Sequence, residues 1–174
     1  MTDDTTLQST GQTLTRSEAE DFLYREGRLL DELELETWLS LFHTEGSYWL
    51  PIDEDKPVSR NISLISDDHA ALRERVFHLL HTPFPAQTPR SRTIHFVSNV
   101  EVENKDDSVV MHSSQLIYEV RTGNFRQTGL GDVRPLVARV RHELRPDQGS
   151  LKIWQKKVLL IDRDMPQGNL TFLI

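Results

Sequence analysis

From Thr93 to Val120 the sequence runs as two long alternating stretches with a polar break between them, which predicts an antiparallel hairpin. In the first stretch Ile94, Phe96, Ser98, Val100 and Val102 share one parity, and His95, Val97, Asn99, Glu101 and Glu103 share the other. Period two with apolar residues on one side is the mark of a strand with one buried face. Asn104-Lys105-Asp106-Asp107 supplies the turn, because Asn and Asp bond their own backbone and tolerate left-handed conformations. The return stretch, Ser108 to Val120, sets Val110, Leu116, Tyr118 and Val120 against Val109, Met111 and Ile117. Each stretch is about twice the usual strand length, so the sheet is expected to be large and curved.

Everything before the hairpin reads as helix, short strand and loop. Residues 1–14 are polar and read as a flexible arm, with 15–174 as a single domain. Thr15-Arg16-Ser17-Glu18 and Ser17-Glu18-Ala19-Glu20 are overlapping capping boxes. The helix they start carries Ala19, Phe22, Leu23, Leu29, Leu30 and Leu33 on one stripe, with Asp21, Arg25, Glu26, Arg28 and Asp31 between. A second helix is expected from Glu34 to His43, stopped by Glu45-Gly46. Short strands follow at Ser47–Ile52, with Pro51 at an edge or strand end, and at Asn61–Ser66. Asp67 or Asp68 then caps a third helix through Ala71, Leu72, Val76, Leu79 and Leu80. Pro83, Pro85 and Pro89 force an extended loop into the hairpin.

After the hairpin, Phe125 to Val140 alternates weakly and Pro135 argues for a bulge or edge. Leu151 to Asp162 reads as a strong strand, with Trp154, Val158 and Leu160 on one face and Ile153, Leu159 and Ile161 on the other. If Trp154 is buried, Trp154→Ala costs about 3–5 kcal/mol. The apolar ending Leu170-Thr171-Phe172-Leu173-Ile174 needs a surface to pack on, within the chain or on a neighbour. Helices first, then long antiparallel strands, define an α+β fold with helices on one face of a bent sheet.

Composition removes several functions. The 174 residues include no Cys, which excludes disulfides, thiolate zinc sites, Cys nucleophiles and Cys-ligated iron–sulfur clusters. Net charge is −7 with no basic run, so nucleic acid is not an expected partner. No apolar run approaches ~18 residues, so no membrane partner is expected either. The acidic, polar N-terminus is unlike a signal peptide, and a cytoplasmic location is expected.

Local motifs for catalysis are absent. His78 and His81 stand three apart on a helix, without the Glu of an HExxH motif. His95 and His112 lie in the central strands and read as structural. Gly129-Leu130-Gly131-Asp132 lacks the third Gly of a dinucleotide fingerprint and reads as a bulge or turn. No catalytic, cofactor-binding or metal-binding residue is therefore assigned. Tyr48, Trp49, Phe84, Arg90, Arg92 and Phe172 are the candidates for a subunit interface, where aromatics and Arg are enriched.

Three segments carry a resemblance. Phe22-Leu23-Tyr24-Arg25-Glu26-Gly27-Arg28-Leu29-Leu30-Asp31 with Trp38-Leu39 and Tyr48-Trp49-Leu50-Pro51 resembles the opening of the small (beta) subunits of aromatic-ring-hydroxylating dioxygenases. Ser91 to Val100 is similar to their central strand, and Leu151-Lys152-Ile153-Trp154, Lys157-Val158-Leu159-Leu160 and Asn169-Leu170 to their C-terminal end. Gly27 stands where such chains usually have Ala, and the 126–134 stretch is less typical.

The resemblance implies a cone of the nuclear-transport-factor-2 (NTF2)-like type, with N-terminal helices on a strongly curved, mostly antiparallel sheet. It implies a β3 trimer within an α3β3 enzyme. The Rieske [2Fe–2S] cluster and the mononuclear iron are expected in the large (alpha) subunit. The complex would cis-dihydroxylate an aromatic ring with electrons from NAD(P)H, and this chain would be its non-catalytic platform. The competing expectation is a stand-alone isomerase or dehydratase, or a ligand-binding module, built on the same cone. An enzyme of that kind would use a buried Asp or His in the cavity as a proton shuttle, with His95, His112 and Tyr118 the groups to watch. A cavity-facing Asp or His with a shifted pKa beside a large apolar pocket would favour it. A cone filled by its own side chains would favour the platform.

Overall fold

A computed structural model describes residues 12–53, 62–83, 88–121, 131–166, 170 and 172–174. The elements are α1 (Arg16–Asp31), α2 (Leu35–Leu39), β1 (Phe42–Pro51), β2 (Ser63–Asp68), α3 (His69–His81), β3 (Arg92–Asn104), β4 (Val109–Val120), β5 (Val133–Asp147) and β6 (Ser150–Leu160). Six strands form one sheet in the order β2-β1-β6-β5-β4-β3. All pairs are antiparallel except β1–β6, which is parallel. The helices cover the inner face, and the outer face is left open. This is the expected α+β architecture.

Thr15 caps α1: its hydroxyl accepts the Glu18 N–H, and the Glu18 carboxylate accepts the Thr15 N–H at 2.8 Å, the reciprocal box. The expected arm is anchored at its end, since Leu14 N–H donates to Asn104 Oδ1 and Gln12 Nε2 to the Gly149 carbonyl. Asp68 caps α3 by accepting the Ala71 N–H. The second helix is shorter than expected. Phe42 already pairs with Ile153, so β1 begins where the helix was predicted to continue, and Glu45-Gly46 lies in a bulge rather than at a helix stop. A Cβ on Gly46 would stand 2.6 Å from the Ile153 carbonyl oxygen, so only glycine lets β1 approach β6 here. Pro51 ends β1, as expected.

The hairpin of β3 and β4 has the expected limits, but its burial is reversed over half its length. Register slips between Ser98 and Glu101, where Asn99 takes φ +54°. The bulge shifts parity, so Val100 and Val102 point inward while Ile94 and Phe96 point outward. Pro135 sits opposite Tyr118 in β5, beyond the last residue pair between β5 and β6, so its missing N–H breaks no ladder bond to β6. Most of the weakly alternating stretch before it, residues 122–130, falls outside the described residues.

A further bulge opposes Glu143 and Leu144 to Gln155 and Ile153, leaving Trp154 as the extra residue. Ile153 thereby joins Val158 and Leu160 in the core. Trp154 is only half-buried, with the Arg145 guanidinium 4.0 Å above its ring. Trp154→Ala is therefore expected to cost about 1–2 kcal/mol, the scale of a cation–π stack with partial burial. Urea denaturation checks this; a loss of about 3–5 kcal/mol would mean that the ring is a core residue after all. The apolar ending finds its surface within the chain. Leu173 and Ile174 are buried in the core, and the Tyr48 hydroxyl donates to the Ile174 carbonyl and accepts its N–H.

Candidate functional site

Two features stand out, one on each face of the sheet. On the inner face, α1 brings Glu26 down onto β5 and β6. Glu26 continues the buried stripe of Ala19, Leu23 and Leu30 at helical spacing, although its residue type placed it among the solvent-facing charges. Lys156 Nζ donates to Glu26 Oε1 at 2.8 Å, His142 Nε2 to Oε2 at 2.9 Å, and Trp38 Nε1 to Oε1 at 3.2 Å. All four residues are at most 1% exposed. His142 and Lys156 are direct cross-strand partners, so the sheet register fixes both donors.

Burial disfavours the Glu26 carboxylate, but the Lys156 ammonium and His142 outweigh it and hold the carboxyl far below the usual range. Burial lowers Lys156, and Glu26 offsets part of that. Trp38 seals the group from the other side, edge-on to Phe42 and Tyr48.

A second carboxylate–imidazole pair lies where α1 ends. Asp31 Oδ1 accepts His95 Nδ1 at 2.7 Å and Thr93 Oγ1 at 2.8 Å, and Oδ2 accepts the His95 backbone N–H at 3.0 Å. Burial opposes its charge, yet the bonds from His95 and Thr93 lower the Asp31 carboxyl. This N–H belongs to the sheet edge, so Asp31 occupies a position another strand would need. Gly27 makes the approach of α1 possible, since a Cβ there would lie 3.1 Å from His95 Cβ. The glycine that departs from the related pattern is a contact point between helix and strand.

The three groups expected of a cavity enzyme do not converge. His95 faces inward, whereas His112 and Tyr118 lie on the outer face. The apolar cleft between Leu30, Leu35, Leu79 and Leu173 has a volume of about 20 Å³, near the size of one water, and a wider open groove of about 460 Å³ runs beside Asp31 and His95, between α1 and β3. His78 bonds Thr82 Oγ1 and His81 lies 3.8 Å from Glu36, so the pair does not form a shared site. Among the described residues no three His, Asp or Glu side chains could hold one metal ion. With no Cys in the chain, the residues present do not fit a Rieske cluster.

The outer face carries the second feature. Ile94, Phe96, Tyr118 and Val133 are 50%, 51%, 38% and 57% exposed. Register places Ile94, Tyr118 and Pro135 in one row and Phe96, Leu116 and Val137 in the next, with the Phe96 and Tyr118 rings edge-on at 6.2 Å. A contiguous apolar surface of this kind marks an interaction site.

The expected interface residues fare unevenly. Arg92 borders this surface, in register with Val120 and Val133. Tyr48 and Trp49 are buried instead: Tyr48 packs in the core, and Trp49 lies under Lys157 and bonds Ser63. Arg90 donates to the Leu80 carbonyl, and Phe172 is half-buried beside Arg134. Phe84 lies outside the described residues.

A curved sheet with one helix-covered face and an apolar outer face defines an NTF2-like fold. The chain belongs to the ring hydroxylating beta subunit family, whose pattern it matches over residues 25–167. It is 35% identical over 166 residues to the small oxygenase component of the p-cumate 2,3-dioxygenase system of Pseudomonas putida, covering 92% of this chain and 88% of that one. The crystal structure of the benzoate 1,2-dioxygenase beta subunit from Burkholderia mallei superposes with a TM-score of 0.73 at 26% identity, over 93% of this chain and 99% of that one. A scytalone dehydratase-like protein from Novosphingobium aromaticivorans shares the fold alone, with a TM-score of 0.56 at 14% identity over 82% of this chain and 80% of that one. Membership in this family makes the chain a component of an oxidoreductase complex. Among the described residues no helix is long and apolar enough to cross a membrane.

Proposed function

We propose that this chain is the structural, non-catalytic beta subunit of a cytoplasmic aromatic-ring-hydroxylating dioxygenase, and that it forms a β3 platform for three alpha subunits in an α3β3 enzyme. The alpha subunit carries the Rieske [2Fe–2S] cluster and the mononuclear iron, and the cis-dihydroxylation takes place there. One observation carries this reading: the contrast between the two faces of the sheet. Inside, Glu26, Trp38, His142 and Lys156 are bonded to one another and at most 1% exposed. Outside, Ile94, Phe96, Tyr118 and Val133 stand uncovered.

The sheet edge at β3 is occupied by Asp31 and bulged at Asn99, so association through the face is favoured over strand addition. The names of the related p-cumate and benzoate enzymes specify aromatic carboxylates, which supports an aromatic acid as substrate of the whole complex. Light scattering on the purified chain at micromolar concentration is expected to give the mass of three chains. A single-chain mass under those conditions would contradict the platform.

A further inference from the structure

Four polar atoms on the inner face are buried without a hydrogen-bond partner among the described residues: His142 Nδ1, Ser113 Oγ, Gln115 Oε1 and His95 Nε2. Their side chains are deeply buried, with residue exposures of 0%, 5% and 3% for His142, Ser113 and Gln115 and 1% for the His95 ring. The sheet register sets them on one diagonal. His142 lies opposite Met111, one inward position from Ser113 on β4; Gln115 is the next inward residue; His95 lies opposite Ile117, one inward position further. Steps of this size are within reach of neighbouring side chains.

The chemistry of the four atoms decides what can satisfy them. Glu26 and Asp31 are acceptors, so they take the protons on His142 Nε2 and His95 Nδ1. The other ring nitrogens, His142 Nδ1 and His95 Nε2, accept or donate according to the protonation of each ring, and Gln115 Oε1 is an acceptor. The Ser113 hydroxyl has one proton and serves at most one of them. Lys156, opposite His142, has three protons and finds only Glu26 Oε1 as acceptor among the described residues. A group that accepts from Lys156 and can either donate or accept at the remaining atoms balances this arrangement, and water is the smallest that does so.

We propose that this diagonal of the inner face binds internal water, with one molecule between Lys156, His142 and Ser113 and another between Gln115 and His95. The site is independent of how the chain assembles. The Glu26 and Asp31 clusters are then parts of one hydrated polar seam running under α1.

A crystal structure of the purified full-length chain, at a resolution that orders single waters, tests this. The expected result is a water peak about 2.7–3.2 Å from His142 Nδ1 and from Lys156 or Ser113, with a second peak bonded to Gln115 or His95. The proposal is overturned if the four atoms meet protein partners, or lie against apolar groups with no density between. The same map shows whether the outer face is covered by a second copy, so the two readings fail separately.

Discussion

Replacing Glu26 with alanine is expected to destabilise the fold by about 3–5 kcal/mol, because it leaves the Lys156 ammonium and the His142 and Trp38 donors buried without their shared acceptor. That is a large share of the roughly 5–15 kcal/mol that holds a domain together. The cause is the stranded charge rather than the lost attraction, and a second variant separates the two. Glu26→Leu with Lys156→Met removes both charges at similar volume and is expected to be more stable than either single change. Urea denaturation of the three variants measures this. Additive losses in the double variant would show that charge pairing is not what holds α1 to β6.

The same carboxylate sets the acid limit of the fold. Its folded pKa lies below its unfolded value of about 4.3. Its stabilisation is therefore complete above that range and declines as pH falls toward the folded value. Asp31 and Glu143 are also lowered and act in the same direction. Melting temperature is expected to fall steeply below about pH 4.5, and the double apolar variant to show a shallower fall. An equal slope in both would remove Glu26 from the acid transition.

The second large effect is expected at the outer face. Phe96→Asp places a charge in the middle of the exposed apolar rows formed with Leu116, Val137, Ile94 and Tyr118. At a central interface position this weakens association by about 2 kcal/mol or more per contact, or at least about thirtyfold. Phe96 is half exposed in the single chain, so its replacement leaves the core intact. The variant is expected to sediment as a single chain with an unchanged circular dichroism spectrum. A folded Phe96→Asp protein that still forms trimers would move the interface elsewhere.

Much of this molecule was readable from residue order. The β3–β4 hairpin, both helix caps and the strand character of Leu151–Leu160 follow from local chemistry that the structure keeps. The bulges were not readable. Ile94, Phe96, Val100 and Val102 share one parity in the sequence, and that regularity conceals the slip at Asn99 which sends the first two outward. Trp154 misled for the same reason.

The Glu26 cluster assembles residues 26, 38, 142 and 156, so no local spacing reveals it. Its one local signal is a carboxylate on the buried stripe of α1, three residues after Leu23 and four before Leu30. Tyr48 and Trp49 suggested an interface because aromatic residues suit one, but a strand flanked by β2 and β6 buries them instead.

The division of labour between subunits is tested most directly by oxygen consumption with an aromatic acid and an electron donor, measured on the purified chain, on the large subunit, and on the two combined. The account predicts consumption by the combined subunits and none by this chain alone. Turnover by this chain unaided, or an undiminished rate from the large subunit without it, would contradict the account.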